Sequence, residues 1–143
     1  MYTCPSTPIQ FSAVKALEMP QDVQEHIKFQ NKMWQNISNE IIPLFEEHHI
    51  KCTKTEGAYY TMLDFKYYKR HFKKINIETS AQLHKYLIKS IGFVTVPAEA
   101  FGIYDELILR YSMVDICDIA DGKYNFEAIK QGIKILASHL NSI

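Results

Sequence analysis

No run in the sequence is apolar for long enough to cross a bilayer, and no basic segment followed by a short apolar core opens it. A cytoplasmic protein with no membrane contact is expected. Cysteine is scarce: Cys4, Cys52 and Cys117 are odd in number, far apart and in no C-x-x-C pair, so neither a disulfide framework nor a zinc site is expected. Net charge is missing too. Sixteen Lys and Arg residues balance sixteen Asp and Glu, which leaves no long-range field to gather nucleic acid, so any anion site must be local. The chain has no G-x-x-x-x-G-K-[ST], H-E-x-x-H, G-x-S-x-G or G-x-G-x-x-G. Nucleotide-loop, zinc-protease, hydrolase-elbow and dinucleotide chemistry therefore have no sequence support. His48 and His49 are adjacent and would point about 100° apart on a helix, too far to share a metal. Asp115, Asp118 and Asp121 lack the remaining ligands and the closing glutamate of a calcium loop. No metal ligand and no catalytic nucleophile emerges.

What is present is an ordinary globular composition, 47% hydrophobic and 22% charged over 143 residues, enough to bury a core. Thr7 as cap, Pro8 at the first helical position and Gln10 completing a capping box predict a helix from Pro8 to Leu17, ended by Pro20. From Gln21, the residues Ile27, Gln30, Trp34, Ile37, Ile41, Leu44 and His48 recur at helical spacing and predict a long helix to about Glu47. Pro43 should bend that helix or end its regular part early. Residues 51–55 and 58–65 read as two strands about a Glu56-Gly57 turn, with Gly57 supplying the permissive backbone. Lys66 to Lys74 interleaves basic and aromatic residues. That mixture could suit single-stranded nucleic acid, but with zero net charge a short helix with a solvated lysine face and inward rings is the expected reading, with no nucleic-acid partner. Thr79 and Gln82 form a second capping box for a helix that Gly92 stops, and a last helix runs from Phe126 to Leu140. Asp121-Gly122 marks a turn before it.

The chain is organised around Ile91 to Gly102 and Glu106 to Asp115, two β-rich segments flanking a loop punctuated by Pro97 and Gly102. Alternation along the second strand puts Leu107, Leu109 and Tyr111 on one face and Ile108, Arg110 and Ser112 on the other. Arg110 is a cation inside an apolar run. Its rigid donor fork suits a carboxylate or phosphate, so it implies either an internal ion pair or a visiting anion.

A strand, a Pro-x-x-x-Phe-Gly loop and a strand reading Leu-Arg-Tyr-Ser resemble the C-terminal domain of the class I/II, fold-type I aminotransferases. Thr55 to Phe65 is similar to that family's Gly-Ala-Phe-Tyr strand, and Ser6 to Leu17 to the helix that follows its cofactor lysine. The resemblance implies an α/β (α+β) fold: a small mixed or antiparallel sheet with helices packed on it and a long linking helix before it. Residues 1–19 would be a remnant of the large-domain helix, and 20–143 the small domain with its linking helix. It implies amino-group transfer between an amino acid and a 2-oxo acid through pyridoxal phosphate, in a homodimer. Arg110 would bind the substrate carboxylate, with Tyr59 beside it. Gly57, Pro97, Phe101 and Gly102 would shape the cleft.

In such enzymes the Schiff-base lysine and most phosphate ligands precede the point that matches Met1. Lys15, Lys54 and Lys89 stand in no comparable context. The chain alone is therefore expected to be inactive and not to hold the cofactor, and its exposed helix faces should make it associate with itself. Ala98 departs from the family, which carries glycine after the proline. Two other readings stay open: a non-catalytic module binding a partner protein or an anionic metabolite, and nucleic-acid binding through Lys66 to Lys74.

Overall fold

The computed structural model describes residues 4–114, 117–118, 123–124 and 126–143, the two short pairs by backbone alone. Asp115, the Asp121-Gly122 turn and the side chain of Asp118 lie outside the described residues. The chain divides into two compact units, Met1–Met33 and Trp34–Ile143.

The first unit holds helix α1 (Thr7–Leu17) and the start of helix α2 (Gln21–Glu46). Thr7 does not cap α1. It is the first helical residue, and Ser6 takes the extended cap backbone with no side-chain bond closing it. Gln10 reaches the Pro5 carbonyl instead, at 2.8 Å. Proline is accepted anywhere in a first turn, where amides have no intrahelical partner, so Pro8 does not force the start at its own position. No residue of α1 is buried.

Helix α2 runs through Pro43 and ends at Glu46, less than a turn later. The bond forgone is the one its own nitrogen would give to the Asn39 carbonyl, while the turn beyond is kept by the Glu47 amide donating to the Pro43 carbonyl at 2.9 Å.

In the second unit, β1 (Lys51–Cys52), β2 (Tyr60–Asp64), β3 (Val96–Pro97) and β4 (Ile108–Ser112) form an antiparallel sheet in the order β1-β2-β4-β3. A second, two-stranded sheet, β5 (Cys117–Asp118) with β6 (Lys123–Tyr124), was not foreseen. The hairpin before β2 differs from expectation in its tip. The left-handed residue is Ala58, at φ 58°, and not Gly57. A left-handed residue cannot continue a strand, so β2 begins at Tyr60 rather than at 58. The β1 ladder stops early because the Thr53 hydroxyl takes the Met62 amide at 3.0 Å, where a main-chain carbonyl would otherwise serve. The strand expected over 93–96 shrinks to Val96–Pro97. Gly92 caps the preceding helix in the left-handed conformation and the Phe93 amide is tied back to the Leu87 carbonyl.

One face of the sheet carries Thr61, Leu63, Leu109 and Tyr111, paired Thr61 with Tyr111 and Leu63 with Leu109. Leu63 and Leu109 are fully buried, and Phe45 of α2 lies edge-on to Tyr111 at 5.4 Å. Leu83 and Leu87 of α4 (Ser80–Ile91), and Ile129, Ile133, Leu136 and Leu140 of α5 (Phe126–Asn141), are buried in the same core. The Thr79–Gln82 capping box forms as expected. Residues 66–74 fold as a 3-10 turn and helix α3 (Lys69–Lys74), burying Tyr68 and Phe72 while the lysines and Arg70 stay exposed. Among the described residues no helix is long and apolar enough to cross a membrane, and no group of side chains could hold a metal ion.

Candidate functional site

The other sheet face carries Tyr60, Met62 and Asp64 from β2 and Ile108, Arg110 and Ser112 from β4, none fully buried. Arg110 sits at its middle, opposite Met62 on one side and Val96 on the other. Pairing on both sides fixes the backbone, so the side chain leaves the sheet from a rigid base.

The guanidinium carbon lies 4.2 Å from the centre of the Tyr60 ring and 4.6 Å from that of Phe101. A planar cation over two rings gains from both ring quadrupoles, worth about 0.5–1 kcal/mol each when exposed and more when desolvated. Its Nε is buried and has no hydrogen-bond partner. Arg110 forms no ion pair or hydrogen bond among the described residues. Among the described residues no carboxylate occupies its fork.

Phe101 reaches this position on a 3-10 turn, Ala98–Phe101, that Gly102 closes with φ 78°. That angle is in the left-handed region, which glycine enters without steric cost. Pro97 enters the turn from β3, paired with Leu109. Ala98 is fully buried and needs no positive φ, so its replacement of the family's glycine leaves the turn intact. The turn is fastened by Glu99. Its Oε1 accepts from the Ser80 hydroxyl and from the Ala81 amide, both at 3.2 Å, while the Glu99 amide donates to the Ser80 hydroxyl oxygen at 3.2 Å.

Of the residues singled out from sequence, Arg110 and Phe101 are in contact, and Pro97 and Gly102 frame them. The Tyr59 ring lies 5.5 Å from Trp34 and 4.4 Å from Tyr60, and the tyrosine ring against Arg110 is that of Tyr60. Gly57 is exposed at the hairpin tip, with open space where a Cβ would go. Tyr60 and Glu99 were missed. Strand alternation could have found Tyr60, which shares a face with the residue opposite Arg110. No local signal marks Glu99, whose partner is 19 residues away.

Arg110 also borders a cavity of about 380 Å³ with Val94, Thr95, Ser112 and Gly132. A larger one, about 580 Å³, is lined by Glu46, His49, Lys51, Asp64, Lys66 and Tyr67 and does not include it.

A family model described as aminotransferase class I and II matches residues 1–121. Among solved structures, the chain is similar to an aromatic aminotransferase from Pyrococcus horikoshii, with TM-score 0.73 and 21% identity over 98% of this chain and 32% of that one. An aspartate aminotransferase from Thermotoga maritima matches with TM-score 0.62 and 18% identity over 96% and 29%. A pyridoxal-phosphate-bound C-S lyase from Staphylococcus hominis matches with TM-score 0.54 and 19% identity over 82% and 27%. No curated protein matches. The chain spans less than a third of each of these solved chains. At such identities the structures speak for the fold, and the family model for descent: this chain belongs to the class I and II aminotransferases and has the fold of their C-terminal part.

Proposed function

We propose that the chain forms the C-terminal portion of an amino-acid aminotransferase, an enzyme that moves an amino group between an amino acid and a 2-oxo acid, and that Arg110 binds the substrate α-carboxylate. The observation that carries this is the waiting cation. Arg110 is held against Tyr60 and Phe101, and no carboxylate among the described residues lies in its fork. A bidentate carboxylate would add two charge-assisted hydrogen bonds, each worth about 1.5–3 kcal/mol.

The family's cofactor, pyridoxal phosphate, requires a lysine at the bottom of a cleft to hold its aldehyde. Every described lysine is exposed except Lys130, which is partly exposed and pairs with Glu127 at 3.3 Å. The described residues therefore do not fit aldehyde attachment. The rest of the fold would supply it. The exposed Ile9, Phe11, Val14 and Leu17 of α1 are an apolar face suited to that remainder or to a second subunit in a cytoplasmic homodimer.

Titrating the isotope-labelled chain with pyruvate tests the reading. A saturable shift of the Arg110 guanidinium signals, lost in Arg110→Ala, supports a carboxylate site. Absence of any Arg110 response in the millimolar range would leave the non-catalytic module as the better account.

A further inference from the structure

The geometry points to Glu99 as a positioning residue for Arg110, acting at a distance through Phe101. The carboxylate of Glu99 bonds the first turn of α4 through Ser80 and Ala81, and Ser80 bonds back to the Glu99 amide. Ser80 is fully buried. Three hydrogen bonds thus fix a turn of four residues whose last member, Phe101, lies on the guanidinium.

Phe101 itself is 46% exposed, so the core does not hold it in place. Its position must come from the backbone of the turn, and the only side chain in that turn with described hydrogen bonds to another element is Glu99. Helix α4 does not need Glu99 as its cap, because the Thr79 hydroxyl already accepts from the Gln82 amide and the Gln82 side chain returns to the Thr79 amide. The carboxylate is therefore a fastener for the turn more than a support for the helix.

The consequence concerns how Arg110 meets an anion. With Tyr60 and Phe101 both against the guanidinium, and Nε buried, the edge left for a carboxylate is the pair of terminal amino groups. Glu99 thereby selects end-on over side-on binding at Arg110. This last step rests on the carboxylate role given to Arg110 above, whereas the control of Phe101 by Glu99 does not.

The ligand-free chain supplies the first test. The Arg110 guanidinium packs on two rings, so ring currents should displace its Nε–H proton resonance upfield. Glu99→Ala should move it back toward an ordinary arginine position by at least half the change seen in Phe101→Leu. Glu99→Gln keeps the accepting oxygen and should restore most of the displacement. Glu99→Asp, which withdraws the carboxylate by one methylene, should resemble Glu99→Ala and guards against a poorly folded alanine variant. Folded Glu99→Ala and Glu99→Asp proteins with an unmoved Nε–H signal would overturn the inference.

Pyruvate titration supplies the second. Its dissociation constant should rise about tenfold in Glu99→Ala and less than threefold in Glu99→Gln, with the Nη signals responding more than Nε in the wild-type chain. A dominant Nε response would overturn end-on binding. If the wild-type chain shows no pyruvate response at all, the carboxylate role of Arg110 fails, and the ligand-free shifts alone decide the part played by Glu99.

Discussion

Tyr68 donates its hydroxyl proton to the main-chain carbonyl of His48 at 2.8 Å. The acceptor follows the end of α2, where carbonyls have lost their helical partners. A residue of the basic, aromatic segment is thus spent on closing a helix.

Tyr68→Phe should therefore cost about 1–2 kcal/mol, the range for leaving a part-buried acceptor without its donor. Urea unfolding measures it, with an unchanged m-value showing that the folded state is otherwise kept. A loss near zero would mean that water takes over the carbonyl, and the bond would then not explain the conformation of residues 66–74.

Arg110→Ala should destabilise by about 1–2 kcal/mol, the loss of two ring contacts. Breaking a buried ion pair costs about 3–5 kcal/mol, because the partner carboxylate is stranded. Denaturant unfolding separates the two ranges. In the enzyme joined to its lysine-bearing portion, Arg110→Lys should lower kcat/KM by orders of magnitude, since lysine cannot reproduce the fork.

Exchanging the hairpin tip, Gly57→Ala together with Ala58→Gly, should stabilise the protein. Ala58 holds φ 58° against a penalty of about 1–2 kcal/mol that glycine does not incur. Gly57 has room for a Cβ, and the two changes leave the unfolded chain with the same glycine content. A thermal midpoint that falls in the double variant would show that the tip is held by contacts of Ala58 rather than strained by its backbone.

Burial, and secondarily the Glu46 carboxylate, push the Cys52 thiol up from 9.0 to about 12, against a smaller opposing pull from the Thr61 hydroxyl. The folded state then keeps a proton that the unfolded chain releases between about pH 9 and 12, so stability falls as pH rises through that window and is full below it. Cys52→Ala should flatten this decline. Iodoacetamide at pH 8 should modify Cys52 far more slowly than the exposed Cys4, as peptide mapping can resolve.

Helical spacing and capping residues made most of the helices readable, because both act over three or four residues. The start of α1 slipped by one because proline is tolerated throughout a first turn. The strands were legible as apolar, β-branched segments, yet their ends were not. Ala58 in a glycine's conformation, the Thr53 hydroxyl standing in for a carbonyl, and the Gly92 cap holding Phe93 back each depend on a partner outside the local window. The same division applies at the site. Arg110 announced itself as a charge in an apolar strand. Tyr60 went unseen because the face a strand residue takes follows from where the hairpin hands over to the ladder, and Glu99 became visible only once α4 and the turn were seen together.

Pro97, placed in β3 at the rim of the sheet, has a further effect. An edge strand with free amides is a template on which another chain can add a strand, and long flat edges seed aggregates. Here both rims are two residues long, and at one of them half of the residues have no amide hydrogen. At these two rims a neighbouring molecule finds little ladder to extend. The four-stranded sheet thereby offers a poor template for the cross-β stacking that leads to insoluble fibres.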